Sequence, residues 1–268
     1  MLKQRILTAL ILLPIAVGLI LYAPIFWLAA ALTLVMVLAS YEWAALSDYA
    51  GRVSRVGYAG ITLMLCAALY MVGRYAGWEY VLWPLALLAA LWWLSMLLWI
   101  VLRRGSVPHQ MKALCGWLTL IPSLFASVAI ADDLPALLLW LFAVIWAADI
   151  GAYFAGRAFG RHKLAPEVSP GKTWEGVAGG TLTMLLVAVS GWYWLTPHSQ
   201  PLLILVCLLA GWFSIVGDLS ESLFKRLAGL KDSGTLFPGH GGVLDRVDSL
   251  TAAAPFFWLG LKLAGWLA

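Results

Sequence analysis

Between Ser222 and Asp248 an otherwise apolar sequence places seven charged side chains: Lys225, Arg226, Lys231, Asp232, Asp245, Arg246 and Asp248. Carboxylates and cations side by side next to hydrocarbon cost free energy unless they hold one another, a metal or a phosphate. If residues 216–225 are helical, Asp218, Glu221, Ser222 and Lys225 fall at i, i+3, i+4 and i+7, on one face. A carboxylate, a hydroxyl and an ammonium presented in a row suit a hard cation and phosphate oxygens; a salt-bridged helix end would use the same residues. Asp245 and Asp248, three positions apart, share a face if a further helix starts there, with Arg246 on another side. Magnesium takes one or two carboxylates and leaves its other positions to water and substrate phosphates. Asp218 and Asp245, entering from different helices, are read as that pair, with Asp248 holding a second cation or orienting the basic residues. Capping of the helix by these acids is the plainer alternative.

Pro238-Gly239-His240-Gly241-Gly242 joins the two helices. Its glycines permit positive φ and close approach, and amides just before a helix can cradle an anion. A phosphate monoester has a second pKa of about 6 and is mostly a dianion at neutral pH, so it needs no general base. His240 is therefore read as a donor to phosphate or a loop strut. A second polar stretch runs from Gly156 to Gly176. Gly171-Lys172-Thr173 mimics the end of a nucleotide P-loop, but that pattern needs Gly at position 166, where the chain has Pro166. What remains is a phosphate grip made of Arg157, Arg161, Lys163, Lys172 and Thr173, with Ser169 and Glu175 beside it. A topogenic signal would account for the basic residues alone. Asp149 and Glu42 lie inside apolar windows, where an acid is by default a functional candidate that faces the protein interior. Gly176, Gly179 and Gly180 read as a close-packing surface.

Only a polytopic membrane protein can position these groups. Of 268 residues 63% are hydrophobic and 11% charged, where soluble chains carry about a quarter charged. The net charge of +4 comes with no basic arm, aromatic-basic ribbon or zinc spacing, so no nucleic-acid partner is expected. Apolar windows at about 6–22, 25–46, 56–72, 80–102, 113–130, 134–154, 174–195, 201–216 and 250–267 predict nine spans. Pro14 and Pro122 kink helices without ending them. The start reads as a first span, because no small-x-small cleavage pattern occurs near Ala23-Pro24. Counting Lys and Arg on alternate sides puts fifteen on one and only Arg74 and Lys262 on the other. By the positive-inside rule this predicts a cytoplasmic amino terminus, an external carboxyl terminus and cytoplasmic polar loops. Cys66, Cys115 and Cys207 stand alone in apolar runs and read as packing residues. Trp27, Trp78 and Trp266, near window ends, read as interfacial anchors.

The order Ser222-x-Phe224-Lys225-Arg226, then Lys231-Asp232-x-Gly234, then Phe237-Pro238-x-His240-Gly241-Gly242-Val243-x-Asp245-Arg246-Val247-Asp248, resembles the signature of the phosphatidate cytidylyltransferase (CDP-diacylglycerol synthase) family, with no departure. Residues 169–176, Asp149, Gly156-Arg157 and Gly160-Arg161 also look like that family. The resemblance implies an all-α membrane enzyme of a single domain, with residues 1–130 as scaffold and dimer contacts and 131–268 as the catalytic part. It implies transfer of CMP from CTP to phosphatidic acid with release of pyrophosphate, dependence on Mg2+, a homodimer, and a bacterial inner-membrane location in phospholipid biosynthesis. Two rivals share parts of the pattern. A CTP-dependent lipid-alcohol kinase would deliver the γ-phosphate to a hydroxyl, and a transporter would use the intramembrane acid. A CDP-alcohol phosphotransferase is excluded, because its Asp-Gly-x-x-Ala-Arg motif is absent.

Overall fold

The computed structural model describes residues 13–102, 108–195, 202–234 and 241–267. Among them are nine helices: α1 (Leu13–Tyr22), α2 (Ile25–Leu46), α3 (Arg52–Ala76), α4 (Glu79–Leu102), α5 (His109–Asp133), α6 (Pro135–Phe159), α7 (Trp174–Leu195), α8 (Leu202–Leu227) and α9 (Leu244–Leu263). The chain is an all-α polytopic membrane protein. Six helices, α2 to α6 and α8, are long and apolar enough to cross a membrane. The expected nine spans are met to that extent: α9 opens with Asp245, Arg246 and Asp248, and α1 is described only from Leu13. Among the described residues the strands are those of an antiparallel hairpin between α6 and α7, formed by β1 (Lys163–Ala165) and β2 (Ser169–Thr173).

Two tightly packed helix pairs set up the polar end. On the facing sides of α6 and α7 the residues are small, as read for Gly179 and Gly180: a Cβ on Gly180 would lie 2.8 Å from the Ala148 carbonyl oxygen, and one on Gly179 2.9 Å from that of Gly151. Such surfaces let backbones approach and exchange hydrogen bonds, and Thr183 donates across the pair to the Ala147 carbonyl at 2.6 Å. Helices α8 and α9 do the same through Gly217, where a Cβ would sit 2.5 Å from the Asp248 carbonyl oxygen. Both helices run past their apolar windows, α8 to Leu227 and α9 back to Leu244. The acids of α8 and α9 are thereby brought side by side, outside the most apolar part of the bundle.

Helices α2 and α5 close the core around α8 and α9. Trp43 donates from Nε1 to the Lys112 carbonyl at 2.8 Å and packs its ring 4.9 Å from that of Phe224. An ion pair of 2.8 Å between Lys112 and Asp48 joins the start of α5 to the end of α2. At the far end of the bundle Lys262 on α9 pairs with Glu79 on α4 at 2.9 Å. Trp27 and Trp78 are exposed, as anchors should be, but Trp43, Trp93 and Trp258 are fully buried core residues. The three cysteines are buried and unpaired.

Candidate functional site

The stretch from Arg161 to Glu175 is an ordered arm. Lys163 pairs with Thr173 and Ala165 with Ser169, and the Trp174 N–H bonds the His162 carbonyl at 2.9 Å where the hairpin passes into α7. Glu175 closes this junction, its carboxylate accepting the Arg161 and His162 backbone N–H groups and facing His162 Nδ1 at 2.6 Å. Thr173 is buried and its Oγ1 accepts the Gly176 N–H at 3.1 Å, a helix cap for α7. The arm presents Lys172 to α8, where its Nζ lies 2.6 Å from Asp218 Oδ2. Arg161 and Lys163 are exposed, without an ion pair among the described residues, and Arg157 bonds the Tyr153 hydroxyl at 2.8 Å. Of the predicted phosphate grip and its neighbours, Thr173 and Glu175 thus build the arm, Lys172, Arg161 and Lys163 remain at its surface, and Arg157 sits in the last turn of α6. Ser169, half-buried, starts β2.

On α8 the predicted face forms. Ser222 Oγ is 3.4 Å from Asp218 Oδ1, and Lys225 Nζ lies 3.3 Å from Glu221 Oε1. Lys225 also meets Asp245 Oδ1 on α9 at 2.7 Å, and its side chain is only 12% exposed. It is therefore a buried cation between two acids. Asp245 Oδ2 accepts the Gly242 N–H at 2.7 Å, the Ser233 N–H at 3.1 Å and the Ser233 hydroxyl at 2.9 Å. Both oxygens of Asp245 are engaged by the protein. Gly241 has φ +81°, and a Cβ there would lie 2.5 Å from Asp245 Oδ2, so this position needs glycine for its backbone and its neighbour alike. Lys231, Asp232, Arg226 and Arg246 are exposed around this knot. His240 lies outside the described residues.

The remaining acids form a second group. Glu221 is 2% exposed, and beyond its 3.3 Å ion pair with Lys225 no hydrogen bond satisfies its oxygens. Its carboxylate faces Asp248, which in turn lies in the field of Asp218. Asp149, on α6, is in electrostatic reach of Asp218 and Lys172. Its side chain is accessible and not packed in the core, and the groups it faces are those of α8 and the arm. Asp218 thus keeps company with Asp248 and Asp149, and Asp245 with Lys225 and Ser233. Carboxylates that face one another beside a single buried ammonium suit a hard cation. Among the described residues no three acid, His or Cys side chains close around one point. A cation there would take part of its shell from water and substrate, as magnesium does.

Known proteins resemble this chain in sequence. The profile of the cytidylyltransferase family matches residues 3–264. The chain belongs to the cytidylyltransferase family. It is 42% identical to the phosphatidate cytidylyltransferase of Pseudomonas aeruginosa over 99% of both chains. It is 40% identical to that of Haemophilus influenzae over 96% of this chain and 97% of the relative. With that of Brucella suis it shares 52% identity over 130 residues, 46% of this chain and 45% of the relative.

Sequence reasoning did not assign site roles in this family member to Ser233 and Glu221. Glu221 had a signal in its place on the Asp218–Lys225 face. Ser233 had only its position inside the Lys231–Gly234 motif.

Proposed function

We propose that this chain transfers the cytidylyl group of CTP to phosphatidic acid, giving CDP-diacylglycerol and pyrophosphate, at the cytoplasmic face of a bacterial inner membrane. The observation that carries it is the meeting of acids from α6, α8 and α9 with the cations of the hairpin arm at one end of the bundle, in a chain whose full-length relatives bear that activity in their names. The phosphatidate dianion supplies its own nucleophile. One of its oxygens forms a bond to the α-phosphorus of CTP, and the bond from that phosphorus to pyrophosphate breaks in line. Lys172, Arg161 and Lys163 on the arm and Arg157 at the end of α6, with Arg226 in the last turn of α8 and Lys231 beyond it, balance the triphosphate and the departing pyrophosphate. Lys225 stays buried and fixes Glu221 and Asp245. Asp218 and Asp248, with Glu221 between them, would hold Mg2+, which supplies charge neutralisation to the phosphates; Asp245 organises the start of α9. Ser222 and the glycines at 241 and 242 shape the floor, and the enzyme works as a homodimer, with residues 1–130 as scaffold.

Detergent-purified protein given phosphatidic acid, Mg2+ and α-labelled CTP is expected to move label into the lipid fraction in step with pyrophosphate release. Label entering lipid from γ-labelled CTP instead would establish a kinase and defeat the proposal.

The cation reading has its own test. Glu221→Gln removes one of several acids crowded around Lys225; relief of the like-charge contact with Asp248 offsets the lost ion pair, and stability in EDTA is expected to stay within about 1 kcal/mol of wild type. The same variant is expected to lose most of the thermal stabilisation that Mg2+ gives the wild type. An unchanged Mg2+-dependent shift would remove Glu221 from the cation site.

A further inference from the structure

Glu42 sits near the end of α2, far in sequence from the acids of α8 and α9. Its side chain is buried, and both oxygens are engaged. Oε1 accepts the Val243 N–H at 3.0 Å, and Oε2 accepts the Leu244 N–H at 2.8 Å and the Ser233 hydroxyl at 3.0 Å. Residues 243 and 244 open α9, where backbone N–H groups lack helical partners and the helix dipole favours a negative charge. No side chain at Val243 caps this helix. The cap comes from a helix 201 positions away. Gly234 and Gly242 make room for it: a Cβ on either would lie 2.6 Å from Glu42 Cδ.

The same atoms lead to the site. The Ser233 hydroxyl that touches Glu42 is 2.9 Å from Asp245 Oδ2, and a hydroxyl has one hydrogen to donate. Whichever carboxylate receives it, the other keeps its backbone donors. Gly242, Val243 and Leu244 thus give three successive N–H groups to Asp245 and Glu42. The anions cradled at this helix start belong to the chain itself.

We propose that Glu42 is a positioning residue for the reaction: by clamping the start of α9 and Ser233 it fixes Asp245 against Lys225, and so sets the register of the α9 acids against those of α8. The inference rests on the cytidylyl-transfer reading. Its test compares wild type, Glu42→Gln and Ser233→Ala for kcat, for KM of CTP and of phosphatidic acid, and for folded fraction by size exclusion in detergent. Since Val243 and Leu244 bond different oxygens, the Gln amide group must face one N–H with another. For Glu42→Gln we expect kcat per folded molecule to fall about 10- to 100-fold, as for displacement of catalytic groups by about an ångström, with KM for CTP within about threefold of wild type. Ser233→Ala, which leaves the Glu42 backbone contacts intact, is expected to lower kcat about three- to tenfold. It carries the test if Glu42→Gln does not fold. Wild-type kcat per folded molecule in Glu42→Gln, or in Ser233→Ala where that variant stands in, overturns the proposal. An inactive wild type would instead sink the cytidylyl-transfer reading, and this inference with it.

Discussion

Asp218→Asn is expected to lower turnover by about a thousandfold, of the order seen when one preorganised electrostatic group is removed from a transition state, while leaving the thermal midpoint almost in place. The two halves of the expectation come from one geometry. Asp218 pairs with Lys172 at 2.6 Å, but the side chains are 30% and 26% exposed. A pair so open to solvent contributes about 1 kcal/mol at most. Its loss is offset in part by relief of the repulsion from Asp248 and Asp149. For a chain of this size 1 kcal/mol is about 2–4 °C, so a shift beyond about 4 °C would show that Asp218 is a structural residue. Turnover within tenfold of wild type would remove it from the chemistry.

The parts of the site that were legible in the sequence are those fixed by local periodicity. Helical spacing alone puts Asp218, Glu221, Ser222 and Lys225 on one side of α8, and the small residues of α7 announce their close neighbour. Contacts made across long stretches of chain were not legible. An acid beside Trp43 in an apolar window marks Glu42 as unusual, but nothing local says that its partners are Val243, Leu244 and Ser233. Lys225 illustrates the same limit. Its position on the face suggested a phosphate ligand, whereas a second carboxylate from α9 turns it into an internal counterion. The hairpin at 163–173 was hidden for a different reason: its strands are only three and five residues long and Lys163, Ser169, Gly171 and Lys172 leave them no apolar alternation. The buried Trp93 stands in the middle of α4, and that location, away from both window ends, was a signal for core packing.

Asp245→Asn should also lower turnover, by displacing the α9 acids, and differ from Asp218→Asn in stability. The Asp245 side chain is 10% exposed and faces an ammonium that is 12% exposed, so the pair is shielded from water. Asparagine can still accept the Gly242 and Ser233 N–H groups through its carbonyl oxygen. Its amide nitrogen must then point at Lys225, donor against donor, and Glu221 is left as the only acid paired with that ammonium. Breaking a buried pair from one side costs about 3–5 kcal/mol. Because Glu221 retains part of the compensation, the lower figure applies, which corresponds to a fall of roughly 6–12 °C in the thermal midpoint. Melting Asp245→Asn and Asp218→Asn side by side in the same detergent makes the comparison. A midpoint for Asp245→Asn equal to that of Asp218→Asn would mean that Lys225 does not depend on Asp245. The assignment of Lys225 as an internal counterion, with the arm cations meeting the phosphates, would then have to be exchanged for one in which Lys225 meets the phosphates.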